Sequence, residues 1–122
     1  MLEILCVALA VYFESRGEPI EGQYAVASVV WNRRNDPRWP NHTCEVVAEK
    51  GQFESWPLIK GQLSIYPEYL ERNPAMRKAL AAASFTAEEP TTRALFFAQA
   101  GYLKFEYLET IGNHEFYIPH ED

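Results

Sequence analysis

Nine consecutive apolar residues, Leu5 to Phe13, stand near the start of this 122-residue chain and limit what it can become. The run is less than half of the roughly 20 residues that a helix needs to span a bilayer. It does not read as an export signal either. Ala8-Leu9-Ala10 mimics a cleavage site, but no Lys or Arg precedes Arg16, and Glu3 is acidic. The run is expected instead as a buried helix from Leu2 to Arg16, with Leu2, Leu5/Cys6, Leu9 and Tyr12/Phe13 at helical spacing. Gly17 and Pro19 stop it. On this reading the protein is made in a cytoplasm and inserts into no membrane.

A helix this apolar needs other elements around it. Pro19 opens a second one, to about Arg34, with Ile20, Gln23/Tyr24, Ala27 and Val30/Trp31 facing inward. Asn35-Asp36-Pro37 ends it. A short helix is expected from Thr43 to Lys50, with Thr43 as its cap. Gly51 to Pro67 holds two Gly and two Pro, shows no period, and reads as a long ordered loop of the functional kind. Asn73-Pro74 supplies cap and first turn for a further helix to about Phe85. Ala94 to Ala98 and Glu115 to Ile118 are aromatic-rich and should pair, with Gly101 to Thr110 irregular between them. The sum is one domain, residues 1–122, of α+β class: mainly helical, with a small antiparallel β-sheet.

Charge and residue types narrow the chemistry. A net charge of −6 argues against a nucleic-acid binder that tracks phosphates. Aromatics at 14% suit a thick core or a groove that stacks on flat ligands. Cys6 and Cys44 are too few for a disulfide framework and lack metal-ligand spacing; one bridge between them is open, and free thiols are the preferred reading. His42, His114 and His120 are scattered, and no phosphate loop or dinucleotide fingerprint occurs. No metal and no cofactor are expected.

Three stretches carry polar groups that could act. Glu14 shares a helix face with Val7, Ala10 and Val11, and it lies in the last turn, where the helix dipole disfavours negative charge. Both effects favour the protonated form that a general acid needs. The alternative is a helix-end carboxylate paired with Arg16 or left in solvent. Glu18, before Pro19, is expected to accept N–H bonds of the second helix or to pair with Arg16, and both are placed as structural residues near the site. Gln52, Phe53, Ser55 and Trp56 offer amide, rings and hydroxyl suited to a sugar groove, and Tyr102 is counted with them. Phe53 and Trp56 serve equally as a plug that anchors the loop. His114, opening a strand, is either a cleft-facing hydrogen-bonding group or a structural histidine. A Cys44 thiolate with His114 as base is a rival chemistry without local support.

Taken together these motifs resemble the SleB-like cell-wall hydrolases, the spore-cortex-lytic enzymes and their bacterial and phage relatives. The resemblance runs from Glu14-Ser15-Arg16-Gly17-Glu18-Pro19 through Glu21-Gly22-Gln23, Ala25-Val26-Ala27, Val30 and Asn32-Arg33. It continues with Trp39-Pro40-Asn41, Val46-Val47, Gln52-Phe53 and Ala94-Leu95-Phe96-Phe97, and closes on Ile111-Gly112-Asn113-His114-Glu115-Phe116-Tyr117. It implies a lysozyme-like fold and cleavage of peptidoglycan between N-acetylmuramic acid and N-acetylglucosamine. It also makes Glu14, the first Glu of the E-x-R-G-E motif, the catalytic acid. Phe13 and Ser15 replace the Gly and Ala of many relatives, and Glu54 interrupts a Gln-Phe-Ser stretch, departures that bear on substrate preference. The expected activity is a lytic transglycosylase with one catalytic Glu. The alternatives are a hydrolytic muramidase that recruits Glu54, Glu106, Glu109 or Glu115, a glycan-binding module, and a Cys peptidase. The expected partner is the glycan strand alone, bound by a monomer. The family's usual wall-binding module and signal peptide do not stand in this sequence, and the form expected is a minimal single domain, either a phage endolysin released at host lysis or a trimmed catalytic domain.

Overall fold

The structure, a computed structural model, describes residues 2–49, 53, 61, 72–99 and 104–120. Among these residues there are four helices, α1 (Leu2–Ser15), α2 (Ile20–Arg34), α3 (Thr43–Ala48) and α4 (Pro74–Thr86). Three strands follow: β1 (Phe96–Ala98), β2 (Phe105–Ile111) and β3 (His114–Pro119). No helix among the described residues is long and apolar enough to cross a membrane.

The apolar run becomes the central helix. Cys6 to Val11 are six consecutive buried residues, so α1 is covered on all sides rather than along one stripe. α2, α3 and α4 pack around it. α4 lies close because its inner face is small, with Ala79, Ala82 and Ala83 fully buried. The Trp31 indole N–H donates to the Ala83 carbonyl at 3.0 Å and ties α2 to α4. At the opening of α4 the Asn73 side chain accepts from the N–H of Ala75 at 2.9 Å, the cap that Asn73-Pro74 predicts.

α3 departs from expectation in two ways. Its cap is His42, whose Nδ1 accepts from Cys44 N at 3.2 Å, and not Thr43. Thr43 is buried and reaches α1 instead: its N–H donates to the Glu3 carboxylate at 3.0 Å and its hydroxyl to the Glu3 carbonyl at 2.8 Å. The cysteines are not free thiols. Cys6 and Cys44 form a disulfide with their Cα atoms 5.2 Å apart, because α3 packs on α1 across a separation of 38 residues that no local pattern reveals. A bonded Cys44 is no nucleophile, and the Cys44–His114 chemistry falls with it.

The sheet is antiparallel in the order β1-β3-β2. β2 corrects the expectation that Gly101 to Thr110 is irregular. Its burial does not alternate, because Leu108 is an extra residue between the pairs Tyr107↔Tyr117 and Glu109↔Phe116. That bulge hides the period of two by which a half-buried strand is recognised. Gly112 and Asn113 then form a two-residue turn, Ile111 facing His114, with Gly112 at φ +60 as the turn requires. Where helix meets sheet, Arg33 is 3% exposed. Its Nε donates to the Leu95 carbonyl at 2.7 Å. Its guanidinium lies 5.0 to 5.6 Å from the ring centroids of Phe96, Phe53 and Trp39. Burial pulls its pKa down to about 10, still high enough to keep it charged at neutral pH.

Candidate active site

α1 ends at a tightly tied corner. Glu14, partly buried, lies in its last turn. The Ser15 hydroxyl donates back to the Val11 carbonyl at 2.8 Å, and the Glu18 N–H closes the turn on the Ser15 carbonyl at 2.9 Å. From α2 the Gln23 amide reaches back to the carbonyls of Glu18 at 3.1 Å and Arg16 at 3.5 Å. Arg16 is exposed, and its guanidinium sits 4.7 Å above the centre of the Tyr12 ring.

Glu18 does not bond the N–H groups of α2 or form an ion pair with Arg16, as the sequence suggested. Its side chain, 10% exposed, turns to the β2–β3 hairpin and accepts from Asn113 twice. The Asn113 N–H lies 2.7 Å from Oε1 and the Asn113 amide 3.1 Å from Oε2. The hairpin tip fits closely: a side chain at Gly112 would lie 2.6 Å from Glu18 Oε1 and 2.9 Å from Pro19 Cδ. Gly22, one helical turn after Glu18, is a looser approach, where an added Cβ would meet Glu18 Cβ at 3.3 Å and Ile111 at 3.5 Å.

His114 sits behind this contact and is 5% exposed. Its Nδ1 is buried, has no hydrogen-bond partner, and lies 3.6 Å from Glu18 Oε1, too far for a hydrogen bond. Its ring packs edge-on against Phe97 with centroids 5.2 Å apart. Phe97 in turn meets Phe53 at 6.0 Å, and Phe53 lies beside Arg33. The structure thus joins Glu18, His114, Phe97 and Phe53 into one contiguous row that begins four residues after Glu14. Phe53 is 4% exposed, which is the burial expected of a loop anchor. Gln52, Ser55, Trp56 and Tyr102 lie outside the described residues, as does Gly51 to Pro67 apart from Phe53 and Gly61. No cluster of three or more His, Cys, Asp or Glu that could hold a metal occurs among the described residues.

Sequence reasoning had grouped Asn113 with His114 without giving it a task. The signal was present: a Gly-Asn pair between two extended aromatic stretches marks a hairpin, and a hairpin tip beside a charged turn invites a carboxylate.

The comparisons with known proteins agree with this architecture. The cell wall hydrolase family profile matches residues 17–117, beginning three positions after Glu14. The spore cortex-lytic enzyme of Bacillus subtilis (strain 168) is 37% identical over 95 residues, which is 78% of this chain and 28% of that protein. The enzyme of the same name from Halalkalibacterium halodurans is 40% identical over 70 residues, 57% of this chain and 21% of the relative. The matched stretch therefore spans between 21% and 34% of the length of these curated relatives. Among solved structures, the catalytic domain of the germination-specific lytic transglycosylase SleB from Bacillus anthracis superposes with a TM-score of 0.72 at 33% identity, covering 95% of this chain and 93% of that one. The catalytic domain of the Bacillus cereus SleB protein gives 0.71, again at 33% identity, with 95% and 89% covered. With the family profile spanning most of its length, and its whole described fold shared with these catalytic domains, the chain belongs to the cell wall hydrolase family.

Proposed function

We propose that residues 1–122 form one catalytic domain that cuts peptidoglycan glycan strands between N-acetylmuramic acid and N-acetylglucosamine as a lytic transglycosylase, with Glu14 as its acid and base. The observation that carries this reading is the match, over nearly the full length of both chains, to a catalytic domain that is itself described as a lytic transglycosylase. Glu14 holds the first position of the E-x-R-G-E motif and stands partly buried in the last turn of α1.

The chemistry needs one carboxyl group. Protonated Glu14 donates to the glycosidic oxygen as the bond from the muramic C1 breaks, and an oxocarbenium-like state forms. The resulting carboxylate then takes the proton of the muramic 6-hydroxyl while O6 bonds to C1. The 1,6-anhydro ring closes, Glu14 is protonated again, and no water is consumed. A hydrolytic route requires a second carboxylate on the other face of the sugar. Glu18 is committed to Asn113, Glu115 accepts from the Tyr117 hydroxyl at 2.7 Å, and Glu106 and Glu109 are exposed on the edge strand β2. Among the described residues those commitments favour the single-carboxylate route; Glu54 lies outside them.

The domain works as a monomer on the glycan strand, without nucleic acid or membrane insertion. It acts at the cell wall after synthesis in a cytoplasm, and a phage-encoded lysin is the source we favour. The Cys6–Cys44 disulfide supports a workplace outside the reducing cytoplasm. Mass spectrometry of digested peptidoglycan tests the reaction. Anhydromuramic ends are the expected product, reducing muramic ends would replace the transglycosylase by a hydrolase, and cut stem peptides with intact glycan would end the glycosidase reading.

A further inference from the structure

The contact between Glu18 and the hairpin is unusually costly for a residue with only a structural task. It holds a carboxylate at 10% exposure, and such burial is tolerated only when good hydrogen bonds replace water. Two are supplied, one of them short and charge-assisted, and both come from a single residue at the tip of β2–β3. The remaining fit is equally specific. Gly112 leaves no room for a Cβ between the hairpin and Glu18, and Gly22 lets Ile111 approach the first turn of α2. The buried His114 Nδ1 stands 3.6 Å from the same Oε1 that takes the Asn113 N–H.

The backbone of Glu18 is fixed just as firmly. Its N–H closes the turn on Ser15, and its carbonyl takes the Gln23 amide. A rigid path of hydrogen bonds therefore runs from Asn113 through Glu18 to Ser15, the neighbour of Glu14. We infer that Glu18 is a positioning residue: by clasping Asn113 it holds the β2–β3 hairpin against the turn between α1 and α2 and so fixes where Glu14, at the end of α1, stands. This inference rests on Glu14 being the acid. Its consequence is kinetic. A misplaced acid still lets the strand bind but meets the glycosidic oxygen at the wrong distance, so loosening the clasp lowers kcat and leaves KM nearly unchanged.

The test is a hydrogen-bond swap on soluble glycan strands, assayed well below each variant's melting midpoint. Glu18→Gln takes the charge from both bonds and makes the Asn113 amide turn over so that its oxygen accepts from the new NH2, and kcat should fall about tenfold with KM within twofold. Asn113→Asp alone sets two carboxylates together and should do at least as much harm. The double variant Glu18→Gln/Asn113→Asp restores both bonds, since the new amide donates to the new carboxylate, and should return kcat to within about threefold of wild type. Asn113→Ala, which loses only the side-chain bond, serves if Glu18→Gln does not fold, and should give a smaller kcat loss of the same kind. Wild-type kcat in Glu18→Gln, a loss confined to KM or to melting, or a double variant no better than its parents would each overturn the inference. Glu14→Gln in the same series separates the two readings. If it retains activity, the assignment of the acid fails; if it is inactive while Glu18→Gln is unimpaired, the clasp alone fails.

Discussion

Replacing Glu14 by Gln changes little except the proton it can donate. The amide keeps the size and the hydrogen-bonding reach of the carboxyl, so any loss of activity measures proton transfer. We expect Glu14→Gln to lower glycan cleavage by at least about a hundredfold, the usual scale of general acid catalysis. The melting midpoint should stay or rise slightly, because a carboxylate is removed from a helix C-terminus. Cleavage of purified walls, followed with circular dichroism on the same samples, checks both halves. Phe53 makes the opposite prediction. At 4% exposure, with its ring beside Phe97 and Arg33, it packs as core, so Phe53→Ala should cost about 3–5 kcal/mol in urea denaturation. Little change in the denaturation midpoint, with a weaker grip on chitooligosaccharide, would return Phe53 to the groove.

At the scale of the elements, α3 and the β2–β3 hairpin each depend on a device that can be undone. The Cys6–Cys44 bridge fixes α3 and closes a loop of 38 residues, which restricts the unfolded chain by about 3–4 kcal/mol. Reduction of the wild type should lower stability by roughly that amount, while Cys6→Ala/Cys44→Ala should start lower and ignore the reductant; denaturation curves with and without dithiothreitol decide. The hairpin depends on Gly112. With φ at +60 and contacts of 2.6 and 2.9 Å awaiting a Cβ, Gly112→Ala should cost about 2 kcal/mol and loosen the tip together with the Glu18 clasp. Both elements also show why strands and bridges resisted sequence reading. A bulge at Leu108 broke the alternation of β2, and the disulfide depends on two helices meeting far apart in sequence.

At the scale of the molecule, charge bears on the proposed action at the wall. The net charge of −6 gives no long-range attraction to a wall whose stem peptides carry carboxylates. Added salt should therefore leave lysis of intact walls unchanged or raise it modestly, because screening weakens repulsion. Turbidity assays on walls, paired with assays on soluble strands at two ionic strengths, test this. A steep loss with salt would mean that a local positive face guides binding despite the overall charge.

The sequence by itself determined the helical frame. The apolar run of α1, the Gly17 and Pro19 breaks, and the Asn73-Pro74 start are local signals, and local energetics of capping, backbone restriction and burial decide them within a few residues. It also placed Glu14 at the end of α1, and the motif order pointed to the cell wall hydrolases. What only the tertiary structure decided were the contacts between segments distant in the chain. Cys6 found Cys44, Glu3 took the N–H of Thr43, and Glu18 turned from its own helix to Asn113, 95 residues away. A carboxylate beside a turn has many partners of similar energy close at hand. Which one it takes depends on what the packed helices and sheet bring to it, and that is fixed by the whole core at once.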